Sequence, residues 1–313
     1  MIPKTMRAVI LTEPTPAEQV RLRDCPVPPV RPGWVLVKVK AFGLNHSEQI
    51  LRLSEIIFTS RSFPASNAWE RLRIRRTALF RRGKEWPRSW AAWGEATTAA
   101  TRSMRCCRRP MCFPWRRDSP GRRWRRFQRR ILRLFECLKL QKGDTLLVRG
   151  GTCALGYAAI RLAKASGCRV IATTHREKKL SLLAGADRAV LDTGTLADTF
   201  SGVTKALELV GPKTLRDTLK CVEKGGIVCS TGILGGVYAL HGFDPIKEIP
   251  NGVYLTGFFS NDPTRQAMTD IFSFIDEHEI KPDIGAVYRF ENISAALLDR
   301  DHHRVEGKIV IEV

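Results

Sequence analysis

DTLLVRGGTCALGYAAIRLAKASGCRVIATTHREKK, residues Asp144 to Lys179, is the stretch whose reading decides the fold. Thr145 to Arg149 is a short apolar run of β-branched and leucine residues, the pattern of a buried parallel strand. It leads directly into Gly150, Gly151, Thr152, Cys153, Ala154, Leu155 and Gly156. From Tyr157 to Ala165 the spacing becomes helical, with Ala158, Ala159, Leu162 and Ala163 on one face. Cys168 to Thr173 is a second apolar strand. Strand, glycine turn, helix and strand within about 30 residues form the context of a dinucleotide-binding unit. A turn free of bulky side chains lets backbone N–H groups approach a pyrophosphate, and the helix N-terminus adds a favourable dipole.

The glycine spacing is Gly150-x-x-Cys153-x-x-Gly156, not G-x-G-x-x-G. It resembles the A/G-x-x-G-x-x-G variant of the medium-chain dehydrogenase/reductase superfamily, with Cys153 at the middle glycine. An ordinary glycine turn in some other βα unit is the competing reading. The end of the second strand separates the two. An NAD site carries an acidic residue about 20 positions past the glycines, bonded to the ribose. Here that place holds Thr173, Thr174, His175 and Arg176, followed by Lys178 and Lys179. A hydroxyl and several cations suit a 2′-phosphate, so Thr174, Arg176 and Lys179 are the expected adenosine-end ligands and NADP(H) the expected cofactor. Glu177, the one contrary charge, is expected to point outward.

The 313 residues suffice for two domains with their own cores. No apolar run reaches the roughly 18 residues of a membrane span. The opening MIPKTMRAVILTEP lacks a secretory h-region, so a cytoplasmic location is the expectation. The nine cysteines show no C-x-x-C pairing, which supports neither a disulfide framework nor a structural zinc site.

A net charge of +21 resembles a nucleic-acid signal until it is located. Residues 61–130 hold 21 Lys or Arg against 4 Asp or Glu, a net +17 that leaves +4 for the rest. The same segment has six of the seven tryptophans, no tyrosine, and neither strand alternation nor a sustained helical stripe. Three readings compete. It is a basic–aromatic arm with Arg on phosphates and Trp stacked on bases; it is disorder or a solvated arginine face; or it is out of frame. The last explains the most letters. Trp90-Ala91-Ala92-Trp93-Gly94-Glu95, back-translated and read one base earlier, can give Met-Gly-Gly-Met-Gly-Arg. Phe127 to Arg130, shifted the same way, can give Ile-Pro-Glu-Thr. Roughly Leu53 to Ile131 thus reads as a frameshifted barrel segment, and an uninterrupted frame in the sequenced transcript would refute that reading.

Before this segment, MRAVIL reads as a strand, Pro26 to Pro32 as a proline-rich turn, and WVLVKVKAFGLN as one long alternating strand. The block resembles the GroES-like barrel that opens medium-chain reductases. Asn45-His46-Ser47-Glu48 falls where zinc alcohol dehydrogenases carry Cys-His-Ser-Asp. A neutral amide is a poor zinc ligand, so the resemblance points to the zinc-independent, quinone-oxidoreductase-like branch, in which Asn45 lies beside the nicotinamide. On chemistry alone, Asn45 is equally a turn residue that tolerates left-handed geometry. His46, His302 and His303 read as solvated.

Beyond the first βαβ unit the alternation continues. Strands are expected at Arg188 to Leu191, Lys205 to Val210, Ile227 to Ser230 and Tyr254 to Phe258, and helices at Leu215 to Val222 and Thr264 to Glu279. Met268, Ile271, Phe272 and Ile275 make the last helix's apolar stripe. Glu208-Leu209-Val210-Gly211 is similar to the family's D/E-x-x-G, and Gly232 and Ile233 sit where a strand's carboxyl end meets the nicotinamide half. The tail from Lys281 resembles the superfamily's return to its catalytic domain.

The expected architecture is α/β: a Rossmann doubly wound parallel sheet at 132–270, with an incomplete GroES-like β-barrel from 1–131 and 271–313. The resemblance implies hydride transfer from NADPH to a small-molecule quinone or α,β-unsaturated carbonyl, with no metal and no membrane. It also implies a homodimer formed through sheet edges. No tyrosine precedes Tyr157, so protonation from solvent is expected. The alternatives are a nucleotide-binding domain with a nucleic-acid-binding Arg/Trp arm, or an inactive product of a frameshifted gene.

Overall fold

A computed structural model describes residues 2–29, 34–45, 49, 52–53, 104–108, 137–197, 199–200, 202–258, 265–280 and 284–313. The chain divides into one unit of Met1–Arg126 with Ile284–Val313, and a second of Phe127–Asp283.

The second unit is built on six parallel strands: β6 (Thr145–Arg149), β7 (Arg169–Thr174), β8 (Arg188–Leu191), β9 (Lys205–Glu208), β10 (Ile227–Ser230) and β11 (Tyr254–Gly257). Their order in the sheet is β11-β10-β9-β6-β7-β8. Read from β8, that is 3-2-1-4-5-6, the doubly wound dinucleotide-binding order, with its switch point between β6 and β9. The central strands are apolar on both faces because helices cover both faces. Leu146, Leu147 and Val148 of β6 and Val170, Ile171 and Ala172 of β7 are all buried.

The helix α1 (Ala154–Ala165) supplies one covering layer. Its Ala159, Ile160 and Ala163 pack with Leu146, Val148 and Val170 in one core. The opposite core gathers Leu147, Ile171, Ala206 and Val228 against Leu215 and Leu219 of α2 (Pro212–Lys220). A single turn, α3 (Pro245–Glu248), and the helix α4 (Arg265–Glu277) follow. Ile275 of the expected α4 stripe is buried. The side chains of Met268, Ile271 and Phe272 lie outside the described residues.

Several element boundaries differ from expectation. The strand expected at Lys205 to Val210 stops at Glu208, and α2 starts at Pro212 instead of Leu215. Val210 and Gly211 donate backbone N–H to the Glu208 carboxylate, so that side chain ends the strand and closes the turn. Pro212 at the first helical position has no N–H to satisfy, which favours that start.

In the first unit, β1 (Thr5–Val9) pairs antiparallel with β2 (Leu22–Pro26). The proline-rich reading of Pro26 onward missed β2. The single long strand expected over WVLVKVKAFGLN divides into β3 (Trp34–Lys38) and β4 (Ala41–Gly43). β3 pairs with β5 (Met104–Arg108), so a strand lies in the segment where no alternation was found. Apart from Leu53 and Met104–Arg108, the residues 53–131 on which the frameshift, nucleic-acid-arm and disorder readings fall lie outside those described.

The chain's tail forms β12 (Ile284–Arg289), α5 (Ile293–Asp301) and β13 (Lys308–Glu312), and β13 lies between β12 and β4. The tail thus runs strand, helix, strand. Phe42 of β4 meets Phe290 edge-on at 5.6 Å, inside a core that includes Ile293, Leu297, Ile309 and Ile311. No helix among the described residues is long and apolar enough to cross a membrane.

Candidate cofactor site

The expected site residues 150–156 form the turn from β6 into α1. Gly150 has φ +88°, a left-handed value that L side chains resist. A Cβ on Gly156 would stand 2.4 Å from the carbonyl oxygen of Gly151, so only glycine lets the helix start pack this closely on the turn. Two amides fix the loop to β7: Gly151 N–H donates to the Thr173 carbonyl at 2.8 Å, and Gly150 N–H to the Thr173 hydroxyl at 3.2 Å.

Cys153, standing at the family's middle glycine, is the N-cap of α1, and its sulfur accepts from Gly156 N–H at 3.3 Å. Burial pushes its thiol pKa up, against the lowering effect of nearby backbone N–H groups. A raised pKa favours the neutral thiol, the form in which it caps the helix. Ala154 and Leu155 open the helix, where the dipole is most favourable to an anion. Because the first turn of α1 carries no acidic residue, nothing there repels a phosphate.

Thr174 ends β7 and is 2% exposed. Its hydroxyl lies 3.2 Å from that of Thr152 and accepts from Arg176 N–H at 3.3 Å, tying the glycine turn to the loop beyond β7. Arg176 is exposed, and Lys179 follows in the 3-10 turn Glu177–Leu183, with its N–H on the Arg176 carbonyl at 2.9 Å. Glu177 is exposed, as expected. Arg176 Nε also donates to His175 Nε2 at 3.2 Å. Burial first, and then the Arg176 charge, hold the His175 pKa below its ordinary value; Lys179 and Lys213 act the same way and Asp192 opposes them. A cationic field surrounds the His175 ring at this corner, and sequence reading missed Lys213 as part of it.

Gly232 and Ile233 lie in the loop after β10. Gly232 N–H donates to the Glu208 carbonyl, and Leu234 N–H to the Leu209 carbonyl, each at 3.1 Å. A Cβ on Gly150 would be 3.3 Å from Leu234 Cδ1, so this loop borders the glycine turn. The structure thus brings together Gly150 to Gly156, Thr174, Arg176, Gly232 and Ile233 at the carboxyl edge of one sheet.

Asn45 belongs to the first unit. Its side-chain oxygen accepts from Lys308 Nζ at 2.5 Å and its backbone carbonyl from Arg300 Nη1 at 2.8 Å, so one cation holds the side chain and another the main chain. His46, Ser47 and Glu48 lie outside the described residues. Among the described residues, no group of three or more His, Cys, Asp or Glu could hold a metal ion.

Sequence reading also missed a buried charge cluster behind the turn. Arg149 is fully buried, with Asp192, Asp217 and the buried Glu208 around it. Nothing marks it in sequence, because an arginine closing an apolar strand reads as the first solvated residue.

The family model described as "Zinc-binding dehydrogenase" matches residues 154–277. The chain is 28% identical over 180 residues to an acryloyl-coenzyme A reductase of Sulfurisphaera tokodaii, covering 55% of this chain and 52% of that protein. It is 26% identical over 189 residues to a quinone oxidoreductase of Rattus norvegicus, covering 57% of each. The chain therefore spans about half the length of the curated relatives it matches. Among solved structures, the quinone oxidoreductase of Thermus thermophilus, described with its NADPH complex, superposes with a TM-score of 0.65. That likeness is at 20% identity and covers 98% of this chain and all of the other, which shows a shared fold.

Proposed function

Because the chain is a quinone oxidoreductase-like member of the medium-chain dehydrogenase/reductase superfamily, we propose that it is an NADP(H)-dependent reductase of a quinone or an α,β-unsaturated carbonyl. The observation that carries this reading is the corner beyond β7, where cations stand in place of a ribose-binding acid. Arg176 and Lys179 are proposed to hold the 2′-phosphate, with Thr174 shaping their loop through Thr152 and the Arg176 amide. Residues 150–156 would receive the pyrophosphate, and Gly232 and Ile233 would border the nicotinamide half. When bound, the dihydronicotinamide supplies the hydride. Asn45, its side chain held by Lys308, is proposed to orient the nicotinamide or the substrate carbonyl. No tyrosine precedes Tyr157, so the proton is proposed to come from solvent. The chemistry needs no metal in this reading. A cytoplasmic, sheet-edge homodimer acting on a small molecule completes the proposal, with no nucleic-acid partner.

Calorimetric titration of the purified chain with NADPH and NADH tests the cofactor. NADPH should bind at least ~10-fold more tightly, the value of one good charge-assisted hydrogen bond. Comparable affinities would remove the 2′-phosphate argument. Turnover of a simple enone against a benzoquinone would then choose the acceptor.

A further inference from the structure

Arg149 is completely buried at the last position of β6, one residue before Gly150. Its Nε and Nη2 donate to Asp192 Oδ2 and Oδ1 at 2.8 and 2.9 Å, a two-pronged ion pair. Its Nη1 donates to Asp217 Oδ2 at 2.6 Å, Thr218 Oγ1 at 2.9 Å and the Thr214 carbonyl at 3.3 Å. The Thr214 and Thr218 hydroxyls in turn donate to the Glu208 carboxylate. Burying these charges costs more than a well-packed apolar side chain of the same size would. Stability alone is therefore a poor reason for an arginine here.

The geometry supplies another reason. Asp192 Oδ2 also accepts the Thr173 hydroxyl at 3.3 Å. With its proton committed there, that hydroxyl turns a lone pair to Gly150 N–H, which donates to it at 3.2 Å. The relay runs from guanidinium to carboxylate to hydroxyl to the first amide of the turn. Thr173 itself is fully buried, so water does not offer the hydroxyl a competing partner.

We infer that Arg149 and Asp192 are positioning residues that, through the Thr173 hydroxyl, fix the amide of Gly150 and the backbone on which the pyrophosphate rests. The last clause depends on the NADP(H) reading; the fixing of the turn does not. Lysine could not replace Arg149, because one ammonium cannot grip both oxygens of Asp192 while also holding Asp217 and Thr218.

The test uses Thr173→Val, Thr173→Ser and Arg149→Lys in the full chain, with two readouts. One is amide exchange over residues 148–153 without cofactor; the other is NADPH affinity. Thr173→Val replaces the hydroxyl with a methyl of similar size and should speed exchange at Gly150 and weaken NADPH by about 10-fold each, as expected for a buried N–H left unpaired. Thr173→Ser restores the hydroxyl and should stay within about twofold of the parent in both. A role confined to packing predicts the reverse, with Val tolerated and Ser damaging. Parent-like exchange in Thr173→Val, or equal damage from Ser and Val, would overturn the relay. Parent-like exchange in a folded Arg149→Lys would overturn the part assigned to the guanidinium. Should the exchange pattern hold while the parent protein binds no NADPH, the turn-fixing role stands and the cofactor reading fails.

Discussion

The two ends of the proposed cofactor crevice are held by opposite means. Behind the glycine turn, one guanidinium is enclosed by three carboxylates and three threonines, almost all out of water. Beyond β7, Arg176 and His175 stand exposed, in a field shared with Lys179 and Lys213. Buried charges are insensitive to salt and costly to disturb, whereas exposed ones are screened and contribute little to stability. The contrast separates two tasks. In the NADP(H) reading, the pyrophosphate end must keep one backbone shape, and the adenosine end need only select a ligand. Coenzyme preference should therefore be changeable without loss of the fold, and the turn should not be.

The largest effect should come from Arg149→Met. It leaves Asp192, Asp217 and Glu208 without their cation, and breaking such a pair costs about 3–5 kcal/mol. The pH dependence follows from the signs. Burial alone would raise Asp192, but the Arg149 hydrogen bonds and charge hold it below its ordinary value. In the parent protein its contribution is thus present above the unfolded carboxylate pKa of about 3.9 and is lost as pH falls through the lower folded value. Without Arg149, burial dominates and the folded value rises, so the variant suffers most where the acid must ionise. Melting curves of parent and variant should therefore converge as pH falls toward and below the carboxylate's ordinary value of about 3.9. Parallel curves would show that the carboxylates find other partners and that the contrast is overstated.

Gly156→Ala comes next. The new Cβ would meet backbone at 2.4 Å, which cannot move aside as a side-chain tip could. Overpacking of this kind costs about 1–3 kcal/mol, more than the roughly 1 kcal/mol that alanine gains in a helix. Calorimetry should find NADPH and NADH weakened alike, since both share the pyrophosphate.

Arg176→Ala combined with Lys179→Ala should do the reverse. Stability should change by no more than about 0.5 kcal/mol, as for other surface sites. NADPH should weaken by about 10- to 100-fold while NADH is unchanged. In the parent protein, the His175 ring should report the same difference by NMR. A 2′-phosphate opposes the cations that lower its pKa, so NADPH should move that pKa upward and NADH should not. Equal loss of both coenzymes in the double variant would merge the two ends into one functional unit.

These assignments differ in how far the sequence reveals them. The Rossmann unit was legible because β6, β7 and their neighbours carry continuous apolar runs bounded by glycine, a local signal. The exposed cations were legible for the same reason, since Thr174 to Lys179 is contiguous. Arg149 and Asp192 were not, because they are 43 residues apart and meet only when β6 and β8 flank β7. β2 escaped notice because Leu22 to Pro26 holds an arginine, an aspartate and a proline, tolerable on a strand that, among the described residues, pairs with β1 alone. The split of β3 from β4 depends on partners, β5 for one and β13 for the other, that no local alternation encodes.

Cys153 gives the smallest and most specific test, because it lies on the turn itself yet belongs to neither set of charges. A thiol is a weak acceptor, and here it takes Gly156 N–H at 3.3 Å, a bond that a hydroxyl makes better. Serine is among the preferred caps, so Cys153→Ser should raise stability by about 0.5–1 kcal/mol, visible as a higher midpoint in urea at unchanged slope. Coenzyme affinity should hold steady if the Thr173 relay sets the turn and the cap merely starts the helix. A rise in stability that came with tighter binding of both coenzymes would instead make the cap a second anchor of the pyrophosphate loop, and the buried end of the crevice would owe its shape to α1 as much as to Arg149.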